Sequence, residues 1–349
     1  MTPYGVIEIS RFLYQSSSGG KSFCPLEHSA RIVRTATPKL GKTISHKHSK
    51  QSTHDVQEDL LQNHSLSLPI TCIKETTEHI ASIAQSNEDN WSYTPKLDEK
   101  VHSISIGLDG TCMYLIENDF RGWREAMVGT ISLNNKEGNR LHTTYLATTP
   151  EYGKSEFYGR MDKEILKVKE LYPLAKTIGI ADGASSNWLF LNERTDIQIT
   201  DFWHATEYLK GAATALFSEI KERDIWLDKK CHQLKHKPEA APKITKEMEA
   251  LKLNKRPSGE GLEKILKAIT YFTNQRERMK YDEYIENGYS IGSGVTEAAC
   301  KTVIKQRLCK SGMRWKKNGS SAILKLRCLI LSNQWEQFWE KISRNGVAA

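Results

Sequence analysis

Residues 101–148 read VHSISIGLDGTCMYLIENDFRGWREAMVGTISLNNKEGNRLHTTYLAT, and they decide the fold. Apolar and polar residues alternate in three stretches, which predicts strands over residues 101–108, 126–133 and 141–148. Ile104 and Ile106 lie on one face of the first strand, which we expect to end at Asp109-Gly110. The turn-like stretch NNKEGN separates the second strand from the third. The pattern therefore predicts a three-stranded antiparallel meander.

Helices and strands alternate beyond this meander. Residues 155–171 have a helical apolar stripe, made of Phe157, Met161, Ile165, Val168 and Leu171. Residues 177–180 and 197–202 predict a fourth and a fifth strand, with a short helix between them. Three antiparallel strands, then helix, strand, helix and strand, is the order of an RNase H-like fold. We therefore predict an α/β protein with an RNase H-like core and a mixed sheet.

The rest of the chain divides into further regions. Residues 208–285 are charged and helical, with a break at 255–261, and predict an all-α insertion between two core segments, 101–207 and 286–349. Residues 1–100 predict a small N-terminal region with a hairpin around SSSGG and a polar linker over residues 35–52. Two short helices follow, which form either a DNA-binding helix-turn-helix or a plain helical hairpin.

Composition excludes several classes of protein. No run of 18 apolar residues exists, so we expect no transmembrane span, and the first residues lack the pattern of a signal peptide. The seven cysteines are odd in number and never spaced as CxxC, which favours reduced thiols in a cytosolic protein. Nine Lys and Arg residues against the single acid Glu297 lie in residues 295–327. This local excess of positive charge predicts a nucleic-acid partner.

Three acids occur at predicted strand or helix ends: Asp109, Asp182 and Glu297. In an RNase H-like core the first two lie on neighbouring strands, and the third arrives from a helix packed across them. Three carboxylates in one site repel each other unless cations are bound. Oxygen ligands favour Mg²⁺ or Mn²⁺, and two such ions roughly 3.5–4 Å apart support in-line phosphoryl displacement. We therefore predict a two-metal site.

Each acid also has an ordinary structural interpretation. Asp109-Gly110 is a common hairpin turn, and Asp182 could cap the helix that follows. Glu297 lies in the first turn of its helix, where the helix dipole favours a negative charge. His204, three residues after Asp201, is either a group that orients a phosphate or a buried histidine of the core.

The basic residues behind Glu297 predict contacts with DNA phosphates, because an ordinary solvated face mixes charges of both signs. The predicted DNA-binding residues are Lys301, Lys305, Arg307, Lys310, Arg314, Lys316 and Lys317.

Four motifs together resemble a known family. SIGLDGT, GIADGASSNW, DFWHATEYL and IGSGVTEAACKTVIKQRLCKSGMRW are similar to segments of bacterial insertion-sequence transposases of the ISKra group, which are DDE enzymes related to the Mutator-like superfamily. The resemblance runs from about Thr2 to Trp339. It implies that Asp109, Asp182 and Glu297 form the catalytic triad, and that Asp201 and His204 match a D/C-x-x-H signature.

The resemblance also implies an activity. Such an enzyme hydrolyses a phosphodiester at a transposon end with two Mg²⁺ or Mn²⁺ ions, and transfers the freed 3′-hydroxyl to target DNA. Its partners are double-stranded DNA, as terminal inverted repeats and target, and a second copy of the chain in a homodimer or larger assembly. We expect a cytoplasmic, nucleoid-associated protein. Relatives generally carry a further segment before TPYG, so part of the end-binding apparatus is expected to be missing.

Two alternatives remain open at this level. One is an RNase H-like nuclease that only hydrolyses DNA. The other is an inactive, truncated or domesticated copy that binds DNA without chemistry.

Overall fold

The computed structural model describes residues 1–89, 92–117, 120–151 and 154–345. Its centre is a mixed sheet of five strands in the order β3-β2-β1-β4-β5. The first three are antiparallel, and β4 and β5 run parallel to β1. The strands are β1 (Ser103–Glu117), β2 (Phe120–Asn134), β3 (Arg140–Thr148), β4 (Lys176–Ala181) and β5 (Ile197–Thr200). The predicted α/β class with a mixed sheet is therefore confirmed.

The first two strands extend well beyond the rest of the sheet. β1 pairs with β2 from Ser103 to Glu117, whereas β4 covers only the first part of β1, as far as Gly107. Asp109-Gly110 therefore lies inside a strand, and the prediction that the strand ends there is wrong. The strand continues because Met113 and Leu115 are buried beneath it in an apolar cluster.

Two layers of helices cover the sheet. α5 (Ser155–Leu171) and α6 (Ser185–Leu191) pack on the face that carries Ile104 and Ile106. The predicted apolar stripe of α5 has four buried members, Phe157, Met161, Ile165 and Val168. The other face carries Ile178, Ile180 and Ile199, which pack against a long helical segment. That segment contains α7 (Phe202–Leu216), α8 (Ile220–His236), α9 (Ala240–Lys255), α10 (Gly259–Gln275), a 3₁₀ turn and α11 (Tyr281–Glu286).

The chain returns to the sheet through one interrupted helix. α12 (Gly294–Ala299) continues into a π turn (Cys300–Lys305) and ends as α13 (Gln306–Leu308). Val303, Ile304 and Leu308 are fully buried between this helix and the extended β1–β2 hairpin. α14 (Lys317–Leu331) and α15 (Trp335–Asn345) complete the layer.

The N-terminal region is more helical than predicted. It contains α1 (Pro25–Ser29), α2 (Pro38–Lys50), α3 (Thr53–His64) and α4 (Ile70–Ser86). The prediction of a linker over residues 35–52 is wrong, because α2 occupies most of it. Leu40, Ile44 and His48 recur every four residues on one buried face of α2, and Pro38 starts the helix.

Among the described residues, no helix is both long enough and apolar enough to cross a membrane.

A group of charges joins the N-terminal region to the core. Glu88 accepts a hydrogen bond from Arg160 of α5 at 3.0 Å, and Lys325 of α14 lies 2.7 Å from the same carboxylate. Burial alone would raise the pKa of Glu88, but Arg160 and Lys325 outweigh it, so the pKa is lowered. The ionised carboxylate therefore stabilises the folded chain.

We expect Glu88→Gln to lower the free energy of unfolding by about 2 kcal/mol at pH 7, because two cations lose their counter-ion in a partly buried site. Urea denaturation measures this loss. Since the pKa is lowered on folding, the difference between the two proteins should be present above pH 4.5 and shrink as the pH falls further. The adjacent exposed pair supplies a control: Asp89→Asn should leave the urea midpoint unchanged. Equal losses in both variants would contradict the assigned role of Glu88.

Candidate functional site

Three aspartates lie at the same level on adjacent strands. Gly107 of β1 pairs with Ile180 of β4; Asp109 lies two residues further along β1, and Asp182 lies two residues beyond Ile180, directly after β4. Ala181 pairs with Thr200 of β5, which brings Asp201 beside Asp182. Neighbouring strands are about 4.8 Å apart. The parallel register thus brings the three carboxylates to one edge of the sheet.

Asp109 is half-buried in the middle of β1. Its Oδ1 accepts a hydrogen bond from the Gly110 backbone N–H at 2.7 Å, and its Oδ2 accepts one from the Cys300 thiol at 3.2 Å. Burial raises the pKa of Asp109, and the charges of Asp182 and Glu125 raise it further, against the effect of the two hydrogen bonds. A bound cation would therefore favour the ionised form of Asp109, which burial and the two neighbouring acids disfavour.

Asp182 is exposed directly after β4. Its Oδ1 accepts hydrogen bonds from the Ala184 backbone N–H at 3.0 Å and from the Asn187 amide at 3.4 Å. These bonds agree with the interpretation of Asp182 as a residue that organises the start of α6, but they use one oxygen of the carboxylate. Its backbone carbonyl accepts a hydrogen bond from the Tyr271 hydroxyl at 2.7 Å, which ties this turn to α10.

Glu297 is brought to the same edge by close packing of α12 on β1. A Cβ atom added at Gly107 would collide with the side chain of Thr296, so the glycine permits the contact. The Thr296 hydroxyl is also hydrogen-bonded to that of Thr130 in β2 at 2.7 Å. Glu297 follows directly, exposed, with its Oε1 accepting a hydrogen bond from the Ser293 hydroxyl at 3.2 Å.

Cys300 contacts Asp109 and lies three residues after Glu297 in the chain. Its thiol is buried and donates to Asp109, and its pKa is raised by burial, by the charge of Asp109 and, more weakly, by that of Glu297. Cys300 is also the first residue of the π turn. Such turns displace the residues on either side and are frequent at functional sites. Cys300 therefore holds Asp109 against the same interrupted helix that carries Glu297.

Asp201 has a different role from the other acids. It is fully buried, and its Oδ1 accepts a hydrogen bond from the His204 backbone N–H at 2.7 Å, which caps α7. Its Oδ2 accepts a hydrogen bond from the Ser293 backbone N–H. Asp201 thereby connects the end of β5 to the segment that precedes Glu297.

His204 lies in the first turn of α7, half-buried. Its ring contacts Tyr208 and Tyr271, and its Nδ1 lies 3.4 Å from the carboxylate of Glu207. Tyr271 stacks on Tyr208 with ring centroids 3.9 Å apart. His204 is therefore linked to Asp182 through Tyr271, beside the acids.

Six of the seven predicted DNA-binding residues have exposed side chains: Lys301, Lys305, Lys310, Arg314, Lys316 and Lys317. The seventh, Arg307, is 1 % exposed and therefore does not share their surface. Its Nε donates to the backbone carbonyl of His48 at 3.1 Å, at the end of α2.

The acids suit a hard divalent cation, although no closed metal site is formed. Within the described ranges, no three His, Cys, Asp or Glu side chains are gathered closely enough to hold a metal ion. The donors available are carboxylate oxygens, which Mg²⁺ and Mn²⁺ prefer. Of the ion pairs in the described part of the chain, none involves Asp109, Asp182 or Glu297. Their charge is therefore available to a cation.

Sequence reasoning missed the residues that hold the acids in position. Thr296 and Cys300 are ordinary residues for a buried helix face, and nothing in their spacing distinguishes them. The sequence does contain one signal of this packing. Gly107 lies inside an apolar strand, two residues before Asp109, and a glycine at such a position often marks the close approach of another element.

We expect Gly107→Ala to destabilise the protein by about 1–3 kcal/mol, because the added methyl group forces α12 away from β1. Thermal or urea unfolding measures the loss, and adding Thr296→Ala should restore part of it by removing the opposing side chain. Gly110→Ala is the matched control, since the nearest atoms to its new Cβ belong to the exposed, flexible side chain of Glu125, which can move. Equal effects at the two glycines would contradict the proposed contact.

No protein-family model matches this sequence, and a search of curated proteins found no match either. The membership suggested by the four sequence motifs therefore stays a prediction.

Proposed function

We propose that this chain is a metal-dependent DDE transposase with an RNase H-like catalytic core. The observation that carries the proposal is that Asp109 and Asp182 lie on or directly after neighbouring parallel strands, while Glu297 lies on the helix packed against β1. Two of them are aligned by the register of β1 and β4, and the third is positioned by the contact of Thr296 with Gly107. None of these acids forms an ion pair in the described part of the chain, and the proposal requires that bound cations draw their carboxylates together.

The topology supports the same proposal. The strand order β3-β2-β1-β4-β5, with three antiparallel strands followed by two parallel ones, is the order expected of an RNase H-like core. The helical segment from α7 to α11 lies between β5 and the helix that carries Glu297, where an all-α insertion is expected.

In this proposal Asp109 and Asp182 hold two Mg²⁺ or Mn²⁺ ions, and Glu297 completes the ligand set. The ions supply Lewis-acid stabilisation of phosphodiester displacement. Cys300 and Gly110 hold the Asp109 carboxylate in one orientation, and Asp201 fixes the backbone that leads to Glu297. The protein thus positions its acids before substrate binds.

The proposed reaction has two steps. In the first, a water oxygen attacks phosphorus at the transposon end, the P–O3′ bond breaks, and a 3′-hydroxyl is released. In the second, that hydroxyl attacks a phosphodiester of target DNA, forms a new P–O bond and releases another 3′-hydroxyl. Joining two ends to one target requires two active sites, so we propose a dimer or larger assembly on DNA.

The exposed cations beside the acids fit a DNA substrate. Lys301 and Lys305 lie in the π turn that follows Glu297, and Lys310 lies just beyond α13. Cations at these positions can neutralise phosphates on either side of the bond that is broken.

The test is cleavage and strand transfer on labelled duplexes taken from the DNA that borders the gene. With Mg²⁺ or Mn²⁺ we expect nicked and joined products, and none with EDTA. Glu297→Gln should reduce the rate by about 100-fold or more, because an interaction made with the developing charge is lost. Glu222→Gln, an exposed acid of α8, is the matched control and should retain full activity.

The products separate the alternatives. Nicking without joined products would identify a nuclease that only hydrolyses, and DNA binding without nicking in the wild-type protein would identify an inactive copy.

A further inference from the structure

A cleft of about 820 Å³ separates the N-terminal helices from the C-terminal loop that leads to α14. One wall comes from the end of α2, the start of α3 and one face of α4. The opposite wall comes from the end of β1 and residues 312–319. Four cations and two acids line it, namely Lys74, Arg307, Arg314, Lys316, Glu78 and Glu117.

The net charge of the lining side chains is positive, because four cations outnumber the acids Glu78 and Glu117. Lys74, Arg314 and Lys316 have exposed side chains and come from both walls. Glu117 accepts a hydrogen bond from the backbone N–H of Lys317 at 2.5 Å, which holds this carboxylate at the start of α14, where it keeps its negative charge. Burial and the charge of Arg307 lower the pKa of His48 to about 4, so this histidine is neutral at pH 7.

Arg307 is a buried cation, and the charge of Asp55 opposes the lowering of its pKa by burial and by Arg327. It is 1 % exposed, and its Nε and Nη1 contact the carbonyl of His48 and the sulfur of Met313. Its guanidinium lies 4.9 Å from the ring of Trp315, and it forms no ion pair in the described part of the chain. Because its side chain is buried, Arg307 adds positive charge behind the wall of the cleft, and the exposed cations make the direct contacts to an anion.

Strand β1 runs from the acids to this cleft, so its length gives the distance between the two sites. Trp315, which lines the cleft, pairs with Leu115, and its carbonyl accepts a hydrogen bond from the Ile116 backbone N–H at 2.7 Å. Leu115 lies six residues beyond Asp109 in the same strand. At about 3.3 Å per residue the separation is about 20 Å. Duplex DNA rises about 3.4 Å per base pair, so this distance corresponds to about six base pairs.

We propose that this cleft binds the phosphodiester backbone of duplex DNA about six base pairs from the phosphate at Asp109. The inference rests on the proposed function for the position of the reacting phosphate. The occupant is a phosphodiester because Lys74, Arg314 and Lys316 offer charge from two walls and Arg307 adds charge behind them. The N-terminal helices thereby contribute to the same DNA path as the catalytic region.

The first test uses equilibrium binding of a fluorescent 30-base-pair duplex without divalent metal, so that catalysis is not involved. Arg314→Ala/Lys316→Ala removes two exposed cations and should leave the fold intact. We expect about tenfold weaker binding, and a slope of log K against log salt that is shallower by about 2, because two phosphate contacts are lost. Lys221→Ala/Lys229→Ala, on α8, is the matched control and should change neither quantity.

The second test measures the distance. On substrates that extend 12 base pairs beyond the cleaved bond, the cleft variant should be about tenfold less efficient than wild type, and on substrates that extend 4 base pairs the two should be equal. Flanks on each side of the bond are shortened in turn. An equal deficit at both lengths on both sides would overturn the assigned distance.

The outcomes distinguish this inference from the proposed function. An unchanged salt slope in the cleft variant would overturn the inference even if the wild type cleaves DNA. If the cleft variant shows a shallower salt slope but the wild-type protein never cleaves DNA, the result would support DNA binding in the cleft and contradict the proposed transposase activity. Inorganic phosphate and a mononucleotide serve as competitors: if either binds the cleft at micromolar concentration while the slope for DNA is unchanged, the cleft is a site for a free phosphate compound.

Discussion

The close packing of α12 against β1 at Gly107 is the constraint on which the candidate site depends. Because this glycine has no side chain, Thr296 reaches the strand and bonds to Thr130, and the next residue, Glu297, arrives at the edge of the sheet. The parallel register of β1 and β4 accounts for the other two acids. Any displacement of α12 therefore separates the third acid from the first two without changing the sheet.

Buried arginines hold the N-terminal helices against the core. Arg307 and Arg327 donate hydrogen bonds to the carbonyls of His48 and Ser49, at the end of α2. Arg327 also bonds to the carbonyl of Val303 in the π turn at 2.8 Å. The helix that carries Glu297 is thus fixed to the sheet on one side and to α2 on the other. Part of the local positive charge consequently serves the fold, and the exposed lysines remain for a polyanion.

The limits of sequence reasoning are visible in particular elements. The bounds of α5 agree with its apolar stripe, because a long amphipathic helix carries a strong periodic signal. The end of β1 was misjudged because Asp109-Gly110 has the local preference of a turn, whereas the burial of Met113 and Leu115 carries the strand onward. The polarity of residues 35–52 predicts a linker, but a short stripe of buried side chains forms α2 there.

The sequence by itself determined the α/β alternation and the residues that could serve as metal ligands, since hydrophobic periodicity and residue type are local properties. Packing between distant elements decided that Gly107 meets Thr296, that Cys300 holds Asp109, and that Arg307 is buried against the end of α2 instead of lying on a helix surface. Each of these contacts joins elements that are far apart in the chain, or depends on which side of a helix becomes buried. Such relations arise from packing, and local preference does not encode them.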